Sequence, residues 1–357
     1  MFGKPDASLE LNGGGSPPLN VAYISELAAR LGSRQDPAVL LLTSQYDLEA
    51  SLLQVHLNAG GYEVLRLDSE TFPSILITYR CREGLVSAHF RGKDDRSISL
   101  QPKVVLYRHF TYFPLTPSAV TGDQLFAANE RHQLARSLEH YFDNALWINR
   151  PQNMEQCGNR ILQLYHAHAS GFLTPCTLVT NDRIEAEDFV RIHGTVIAKA
   201  IDHHAVRSNN MLHNFYGALI TAANQLCFID RRRPVLLQEY VRKAAEIRAY
   251  VIEDKVVAVR IEARAGGSLP VDMHTLSDDF YSYSPATLPP ECIVACRDLT
   301  ERLGLFYAAI DLVQTDKGDL VFLEVNPGGD WAWVESKVAI GLTELFAHVI
   351  TARLCQE

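Results

Sequence analysis

Apolar and polar positions in the first third of the chain follow the pattern of an α/β protein. Val39–Thr43 (VLLLT) is a short apolar run that predicts a buried strand. Asp47 suits the N-cap of a following helix, which Gly60-Gly61 ends before a second strand at Tyr62–Leu67. Because the order is strand–helix–strand, we expect a right-handed crossover between parallel strands. The same sheet is predicted to continue through Ser74–Tyr79, Leu85–Phe90 and Lys103–Tyr107.

The rest of the chain combines helices with antiparallel hairpins. Helices are predicted over residues 123–144, 154–170, 288–304 and 336–354. The polar stretch 202–233 is predicted to be a loop with one embedded helix. Hairpins are expected from Glu246–Ile252 with Val256–Ala263, and from Phe306–Gln314 with Leu320–Asn326. The pattern therefore predicts an α/β protein with additional α+β lobes.

The composition is that of a globular protein and indicates which kinds of partner are not expected. The 357 residues are 47% hydrophobic and 21% charged, as in ordinary globular proteins long enough for two or three lobes. The net charge of -9 argues against a nucleic-acid partner. No apolar run reaches the ~18–20 residues that span a bilayer, so no membrane partner is expected. Residues 1–36, which contain GGGSPP, are predicted to be a flexible arm without a signal peptide. Seven cysteines without CxxC spacing favour reduced thiols and a cytoplasmic location.

The C-terminal hairpin carries the sharpest chemical signal. Asp311 lies within an apolar strand, and Glu324 and Asn326 lie two residues apart on the partner strand, so they share one face. Two carboxylates and an amide oxygen form a hard oxygen cluster of the kind that Mg²⁺ binds together with nucleotide phosphates. The alternative is a capped turn whose acids are solvated, which the apolar flanks disfavour.

The middle hairpin carries a second signal. With a turn centred on Asp254, Arg248 and Arg260 face each other, although a shift of one residue in register is open. Two like charges directly opposite are destabilising, and a bound phosphate would remove that cost. Crossed Arg–Glu bridges on an exposed face, through Glu246 and Glu262, are the alternative.

Lys199 interrupts the apolar strand VIAKA, where an unpaired charge would be costly. A lysine ammonium at such a position can act as a point charge for a phosphate. The alternative is a lysine on the solvated face of an edge strand.

Together these motifs resemble the ATP-grasp ligases, in particular the maturases of microviridin-type peptides (graspetides), which are relatives of the ribosomal-protein glutamate ligase. The resemblance spans residues 38–354 and is weakest before residue 145. The segments that carry it, in order, are 149–182, 195–200, 235–263 and 305–335. It implies an ATP-grasp fold with a pre-ATP-grasp α/β domain over 37–150, a central lid over 151–237 and an antiparallel C-terminal domain over 238–357.

The resemblance also implies roles for individual residues. Those implied in ATP binding are Arg160, Lys199, Gln238, Glu239, Tyr240, Val241 and Glu246. Gln238–Val241 would form the hinge whose backbone binds adenine, and Glu246 would bind the ribose. The residues implied in acyl transfer are Arg248, Arg260, Asp272 and His274. Asp311, Glu324 and Asn326 correspond to the Mg²⁺ ligands.

The implied activity is that of a carboxylate ligase that forms an acyl phosphate and then an ester or amide. Its expected partner is a ribosomal precursor peptide, whose side chains it would macrocyclise, and a homodimer is expected. Two residues depart from the family pattern, because Arg160 replaces a lysine and His274 replaces the arginine of a DWR segment. Two alternatives stay open. One is a ligase that adds a free amino acid to a peptide or small acid, and the other is a degenerate nucleotide-binding scaffold.

Overall fold

The fold is described from a computed structural model that divides the chain into two compact units. The residues described are 38–70, 72, 75–83, 85–91, 97–110, 122–201, 205–208, 211–214, 217–229, 231–264, 269–271 and 277–355. The N-terminal unit comprises the described residues up to Pro151, together with Asp330–Ala332 and the residues from Gly341 onward. The C-terminal unit comprises those of Gln152–Gly329 and Trp333–Ile340. The predicted arm over 1–36 and the candidate residues Asp272 and His274 lie outside the described residues.

The N-terminal unit is built on a four-stranded parallel sheet in the order β2-β1-β6-β7. Its strands are β1 (Val39–Thr43), β2 (Val64–Asp68), β6 (Val104–Tyr107) and β7 (Leu146–Ile148). Helix α1 (Leu48–Ala59) connects the first two strands, and the Asp47 side chain caps it by accepting a hydrogen bond from Ala50 N. The predicted parallel crossover is therefore confirmed.

A second sheet in this unit corrects the sequence prediction. The three strands β3 (Leu76–Arg82), β4 (Leu85–Arg91) and β5 (Ser97–Ser99) form an antiparallel sheet of their own and do not extend the parallel one. The reason is the short connection between Arg82 and Leu85, because two residues can join antiparallel strands but not parallel ones. Helix α2 (Gly122–Tyr141) follows.

A buried arginine holds residues 330–332 within the N-terminal unit. Arg108 is 2% exposed; its Nε donates to Asp47 at 2.9 Å and its Nη2 to Asp330 at 2.7 Å. The guanidinium also lies 4.7 Å from the centre of the Trp331 ring, a cation–π distance. Glu49 accepts the backbone N–H groups of Trp331 and Ala332. Burial by itself raises the pKa of Asp330, but hydrogen bonding to His109 and the charge of Arg108 hold that pKa below its usual value.

The first part of the C-terminal unit consists of helices and a small antiparallel sheet in the order β12-β9-β13-β8. The strands are β8 (Thr177–Thr180), β9 (Val196–Lys199), β12 (Ala218–Ile220) and β13 (Val235–Glu239). Helices α3 (Pro151–Cys157), α4 (Arg160–Ala169) and α5 (Arg183–His193) accompany it. The single helix predicted over 154–170 is therefore two helices, because the Asn159 side chain caps a new helix by accepting from Ile161 N and Leu162 N.

The stretch 202–233 contains more regular structure than predicted. A two-stranded hairpin, β10 (Ala205–Ser208) with β11 (Met211–Asn214), precedes β12. One short 3₁₀ helix, Ala223–Phe228, follows, so the predicted embedded helix is present but the loop is smaller than expected.

A five-stranded antiparallel sheet in the order β16-β15-β14-β17-β18 forms the rest of the C-terminal unit. Its strands are β14 (Ala245–Ile252), β15 (Lys255–Ala263), β16 (Tyr281–Ala286), β17 (Tyr307–Gln314) and β18 (Leu320–Asn326). Helix α6 (Pro290–Arg302) covers one face, where Leu299 belongs to the same apolar core as Ile247, Ala249 and Ile310. The opposite face is therefore the one on which polar side chains can converge.

The C-terminal end of the chain has a shorter helix than predicted over 336–354. Helix α7 (Ala332–Glu335) and helix α8 (Leu342–Leu354) are separate, and Gly341 between them has a positive φ of 62°. Since a left-handed residue interrupts helical hydrogen bonding, the longer helix starts only after it. In the part of the chain that the structure describes, no helix is long and apolar enough to cross a bilayer.

Candidate active site

The hairpin β17/β18 brings three oxygen side chains to one face. Asp311 pairs directly with Glu324, and Ala309 pairs with Asn326. Directly paired residues in an antiparallel sheet point to the same side, and alternate residues of one strand share a face. Asp311, Glu324 and Asn326 therefore share the face opposite helix α6. A bulge next to Asp311 leaves Leu323 as the extra residue of β18.

Arg248 reaches the same face from strand β14. It pairs directly with Asp311, and its Nη1 donates to both Asp311 carboxylate oxygens at 3.0 Å. Its guanidinium lies 5.5 Å from the centre of the Tyr250 ring and 5.9 Å from that of Trp333. Two aromatic rings and a carboxylate thus fix the arginine beside the hairpin carboxylates.

Glu324 has its own arginine, from the start of helix α4. Arg160 Nη2 donates to Glu324 Oε2 at 3.0 Å and Nε donates to the same oxygen at 3.2 Å, while Nη1 donates to Ala200 O at 2.9 Å. The guanidinium therefore connects Ala200, directly after β9, to the hairpin β17/β18. A lysine, with a single nitrogen, could not make these three bonds from three separate atoms.

Lys199 ends strand β9 and belongs to the same group of charges. Its Nζ donates to Gln238 Oε1 at 3.0 Å, and Gln238 Nε2 donates to Thr177 Oγ1 at 3.1 Å. Gln238 is buried, so this chain of hydrogen bonds fixes the lysine beside the candidate hinge. In the hinge itself, the peptide N–H groups of Glu239 and Tyr240 donate to Cys176 O and Thr195 O.

The two hairpin carboxyls have opposite pKa shifts. Burial raises the pKa of Asp311 to about 6; Arg248 opposes this shift, and the charges of Glu324 and Glu246 add to it. Burial by itself also raises the pKa of Glu324, but the charges of Arg160 and Lys199 outweigh burial and hold its pKa below the usual value. The two carboxylates therefore need positively charged groups nearby, which Arg248, Arg160 and Lys199 supply.

The donor set fits a hard divalent cation. Asp311, Glu324 and Asn326 offer only oxygen atoms, and both carboxylates face each other across neighbouring strands. Arg248 forms an ion pair with Asp311, and Arg160 forms one with Glu324. Within the described ranges no three His, Cys, Asp or Glu side chains are grouped as a metal site, so a metal here would rely on the Asn326 amide as well.

The register of the middle hairpin corrects one prediction. Arg260 pairs with Ile247, and Arg248 pairs with Val259, so the two arginines are not opposite each other. Neighbouring residues on a strand point to opposite faces, so Arg248 and Arg260 lie on different sides of the sheet. Arg260 instead contacts Gln314 and forms an ion pair with Glu262 at 2.8 Å. The expected pairing of Glu246 with Glu262 is wrong for the same reason, since Glu246 pairs with Ile261.

The cause of this shift is the turn. Ile252 pairs with Lys255, which leaves a two-residue turn, Glu253-Asp254, in place of a turn centred on Asp254. Glu253 has a positive φ of 56°, as the first central residue of such tight turns requires. Glutamate is not among the residues that usually adopt this conformation, so the register could not be chosen from the residue types at the turn.

Two further residues belong to the site and were not predicted. A Cβ on Gly329 would collide with the Cβ of Ala309 and would come within 2.9 Å of Arg248 Nη2, so this approach to strand β17 requires glycine. The paired glycines after Asn326-Pro327 are a signal that could have identified this position. Lys243 forms an ion pair with Glu246, and nothing in its sequence context sets it apart from other lysines.

Removing the positively charged side chain of either Lys199 or Arg160 should weaken nucleotide binding. For Lys199→Ala and Arg160→Ala we expect the binding free energy of Mg·ATP to fall by ~1.5–3 kcal/mol, the range of a hydrogen bond to a charged group. Isothermal titration calorimetry of each variant measures this loss. Lys317→Ala, in the exposed β17/β18 turn, is the control and should bind as the wild type does. Unchanged affinity in both variants would contradict the assignment.

Several solved structures have a fold similar to that of this chain. A RiPP-associated ATP-grasp ligase from Chryseobacterium gregarium, in complex with ADP and a leader and core peptide, gives a TM-score of 0.77 at 20% identity, covering 88% of this chain and 96% of that one. Macrocyclase MdnC from Microcystis aeruginosa MRC, bound with precursor peptide MdnA, gives 0.75 at 19% identity, covering 88% and 99%. The ATP-grasp ligase PsnB, complexed with a phosphomimetic variant of a minimal precursor, Mg and ADP, gives 0.72 at 20% identity, covering 89% and 99%.

Sequence comparison finds a different set of relatives. A probable alpha-L-glutamate ligase of Mannheimia succiniciproducens is 35% identical over 127 residues, which are 32% of this chain and 38% of that protein. One from Photobacterium profundum is 31% identical over 110 residues, which are 30% of this chain and 35% of that protein. The match therefore spans less than two fifths of the length of these curated relatives. No family profile matches the chain.

Both comparisons agree with the resemblance that the motifs predicted. The structural similarity, at these identities, establishes the fold, and its antiparallel C-terminal sheet is the one expected. The sequence similarity is to proteins described as probable alpha-L-glutamate ligases. The chain has the ATP-grasp fold and is similar to ATP-grasp enzymes of the carboxylate–amine ligase type.

Proposed function

We propose that this protein is an ATP- and Mg²⁺-dependent ligase that macrocyclises a ribosomal precursor peptide. The observation that carries the proposal is the single face on which Asp311, Glu324 and Asn326 meet Arg248 and Arg160. The bound peptides and nucleotides of the structurally similar ligases support it. The three-lobe boundaries at residues 150 and 237, a homodimeric assembly and a cytoplasmic location are further parts of the proposal.

Asp311, Glu324 and Asn326 would hold Mg²⁺, which would neutralise charge on the nucleotide phosphates. Lys199 and Arg160 would bind phosphate oxygens, and Arg248 would orient the substrate carboxylate. Gln238–Val241 would contact adenine, and Glu246 would accept the ribose hydroxyls. Asp272 and His274 would bind the acceptor group, and His274 would act as the base that removes the proton of this group. Arg260 lies on the other face of the sheet and forms an ion pair with Glu262, so its position does not support the role near the acyl phosphate that the resemblance implied.

In the proposed reaction, a side-chain carboxylate oxygen of the peptide attacks the γ-phosphorus of ATP, and ADP leaves. A hydroxyl or amine of the same peptide then attacks the acyl carbon, phosphate leaves, and the attacking group loses its proton. The ring is an ester or an amide, and the peptide loses one water overall. Excluding bulk water protects the acyl phosphate from hydrolysis.

Mass spectrometry tests this proposal directly. A candidate precursor peptide incubated with the protein, ATP and Mg²⁺ should lose one water mass for each ring formed. Omission of ATP, and separately of Mg²⁺, are the controls and should abolish the change. A precursor of unchanged mass in the presence of nucleotide hydrolysis would argue against macrocyclisation of that peptide.

A second candidate function follows from the sequence similarity to probable glutamate ligases. Such a ligase joins a free amino acid to a peptide or small acid by the same acyl phosphate chemistry. The same experiment separates the two, because addition of glutamate increases the mass of the acceptor and ring formation decreases it. Binding of Mg·ATP without either product would favour the nucleotide-binding scaffold instead.

A further inference from the structure

Lys243 lies between the candidate hinge and strand β14 and is nearly buried. Its side chain is 5% exposed, and that of its partner Glu246 is 16% exposed. The ammonium donates to Glu246 Oε1 and, at 3.1 Å, to the backbone oxygen of Val271. An ammonium removed from water is stable only when oxygen atoms replace its hydration, so these contacts fix the lysine in place.

Glu246 belongs to the face on which the candidate site is built. It lies two residues before Arg248 on β14, so the two side chains point to the same side of the sheet. Its charge acts on Asp311, since it contributes to the raised pKa of that carboxyl. The charge of Glu246 therefore acts on one of the carboxylates that the hairpin β17/β18 brings together.

The Lys243 contact determines how Glu246 can receive a ligand. A carboxylate has two oxygen atoms, and the bond to Lys243 uses Oε1 and restricts rotation of the group. The other oxygen, Oε2, then has a defined orientation. Its lone pairs can accept a hydrogen bond from a hydroxyl group of a bound sugar. Without Lys243 the carboxylate would lose both its orientation and its buried counter-charge.

We propose that Lys243 is a positioning residue for nucleotide specificity, which orients Glu246 toward the ribose hydroxyls of the bound nucleotide. The inference rests on the proposed nucleotide site and deepens it by identifying what fixes the ribose contact. The second bond of Lys243, to Val271, ties this contact to the backbone immediately before the candidate acceptor residue Asp272. One buried ammonium thus supports the sugar contact and anchors the chain at Val271.

The test compares ATP with 2′,3′-dideoxy-ATP, which lacks the ribose hydroxyls. Affinities of the full chain for both nucleotides are measured with Mg²⁺ by competition binding. The wild type should prefer ATP by roughly tenfold or more, as expected for hydrogen bonds to a charged group. Lys243→Met should lose most of this preference, as Glu246→Gln should, whereas Lys243→Arg, which keeps the charge, should retain part of it.

Lys255→Met is the matched control, because Lys255 pairs with Asp254 at 3.0 Å on the exposed turn of the same sheet. It should keep the full preference for ATP. If Lys243→Met weakens both nucleotides equally, Lys243 has only a structural role, and the inference is overturned. A preference equal to that of the wild type overturns it as well. Lys243→Gln serves as the second variant if Lys243→Met does not fold.

The experiment distinguishes a failure of this inference from a failure of the proposed function. A wild-type chain that binds neither nucleotide contradicts the nucleotide site itself, and with it this inference. A wild-type chain that binds ATP tightly but has the same preference in every variant contradicts only the role of Lys243.

Discussion

Glu324→Gln is expected to leave the fold intact and to lower the turnover number ~10²–10³-fold, the scale of loss when one preorganised electrostatic group is removed from an active site. The side chain keeps its size and can still contact Arg160, so the change removes charge with little loss of packing. It takes one of the two carboxylates from the set Asp311, Glu324 and Asn326, which would hold Mg²⁺. ATP-dependent product formation by mass spectrometry, with the unfolding midpoint measured alongside, gives both quantities.

Glu301→Gln is the matched control for this experiment. Glu301 lies exposed near the end of helix α6, which covers the opposite face of the sheet from the hairpin carboxylates, so the same substitution should leave turnover unchanged. Near-normal ATP-dependent activity of Glu324→Gln would show that the metal-ligand assignment is wrong. Raising the Mg²⁺ concentration should restore part of the lost rate if the variant binds the metal weakly, whereas a defect in folding would not respond.

Arg248→Met should cost both activity and stability. Arg248 and Asp311 are 15% and 26% exposed, and the substitution leaves the Asp311 carboxylate without its counter-charge beside Glu324. Removing one partner of a buried ion pair costs about 3–5 kcal/mol, and we expect the lower end because Asp311 keeps some contact with water. Denaturant unfolding measures the stability, and product formation measures the rate.

The double variant Arg248→Met/Asp311→Asn separates the two effects. With both charges removed, much of the lost stability should return, because the unpaired carboxylate is no longer present. Activity should not return, since a candidate metal ligand and a substrate-orienting arginine are both missing. Arg302→Met, which breaks the exposed pair with Asp298 on helix α6, is the control and should change stability by less than ~1 kcal/mol. Equal stability of Arg248→Met and wild type would contradict the importance of this ion pair.

The hairpin β17/β18 shows which features the sequence predicts well. Its strands at Tyr307–Gln314 and Leu320–Asn326 agree closely with the apolar pattern, and Asp311 lies on the same face as Glu324 and Asn326, as predicted. Glu324 and Asn326 lie two residues apart on one strand, so they share a face whatever the register of the hairpin. The order of motifs along the chain similarly identified the ATP-grasp fold.

The hairpin β14/β15 shows where such reasoning fails. Its strands were predicted correctly, but the turn has two residues instead of three, and this single difference moves Arg260 to the other face. Both faces of these strands contain buried apolar residues, so the hydrophobic pattern does not penalise the wrong register. The sequence identified the arginines but could not decide whether they share a face.

Local patterns determined the strands, the caps and the residue types of the candidate site, because these depend on neighbours a few positions away. Only the tertiary structure paired Arg160 with Glu324, which are 164 residues apart, and Arg248 with Asp311, which are 63 apart. The same holds for Lys243 and Val271, 28 residues apart. A charged side chain in a partly buried site takes whichever opposite charge the packing of distant elements brings within reach, and that choice is made by the fold as a whole.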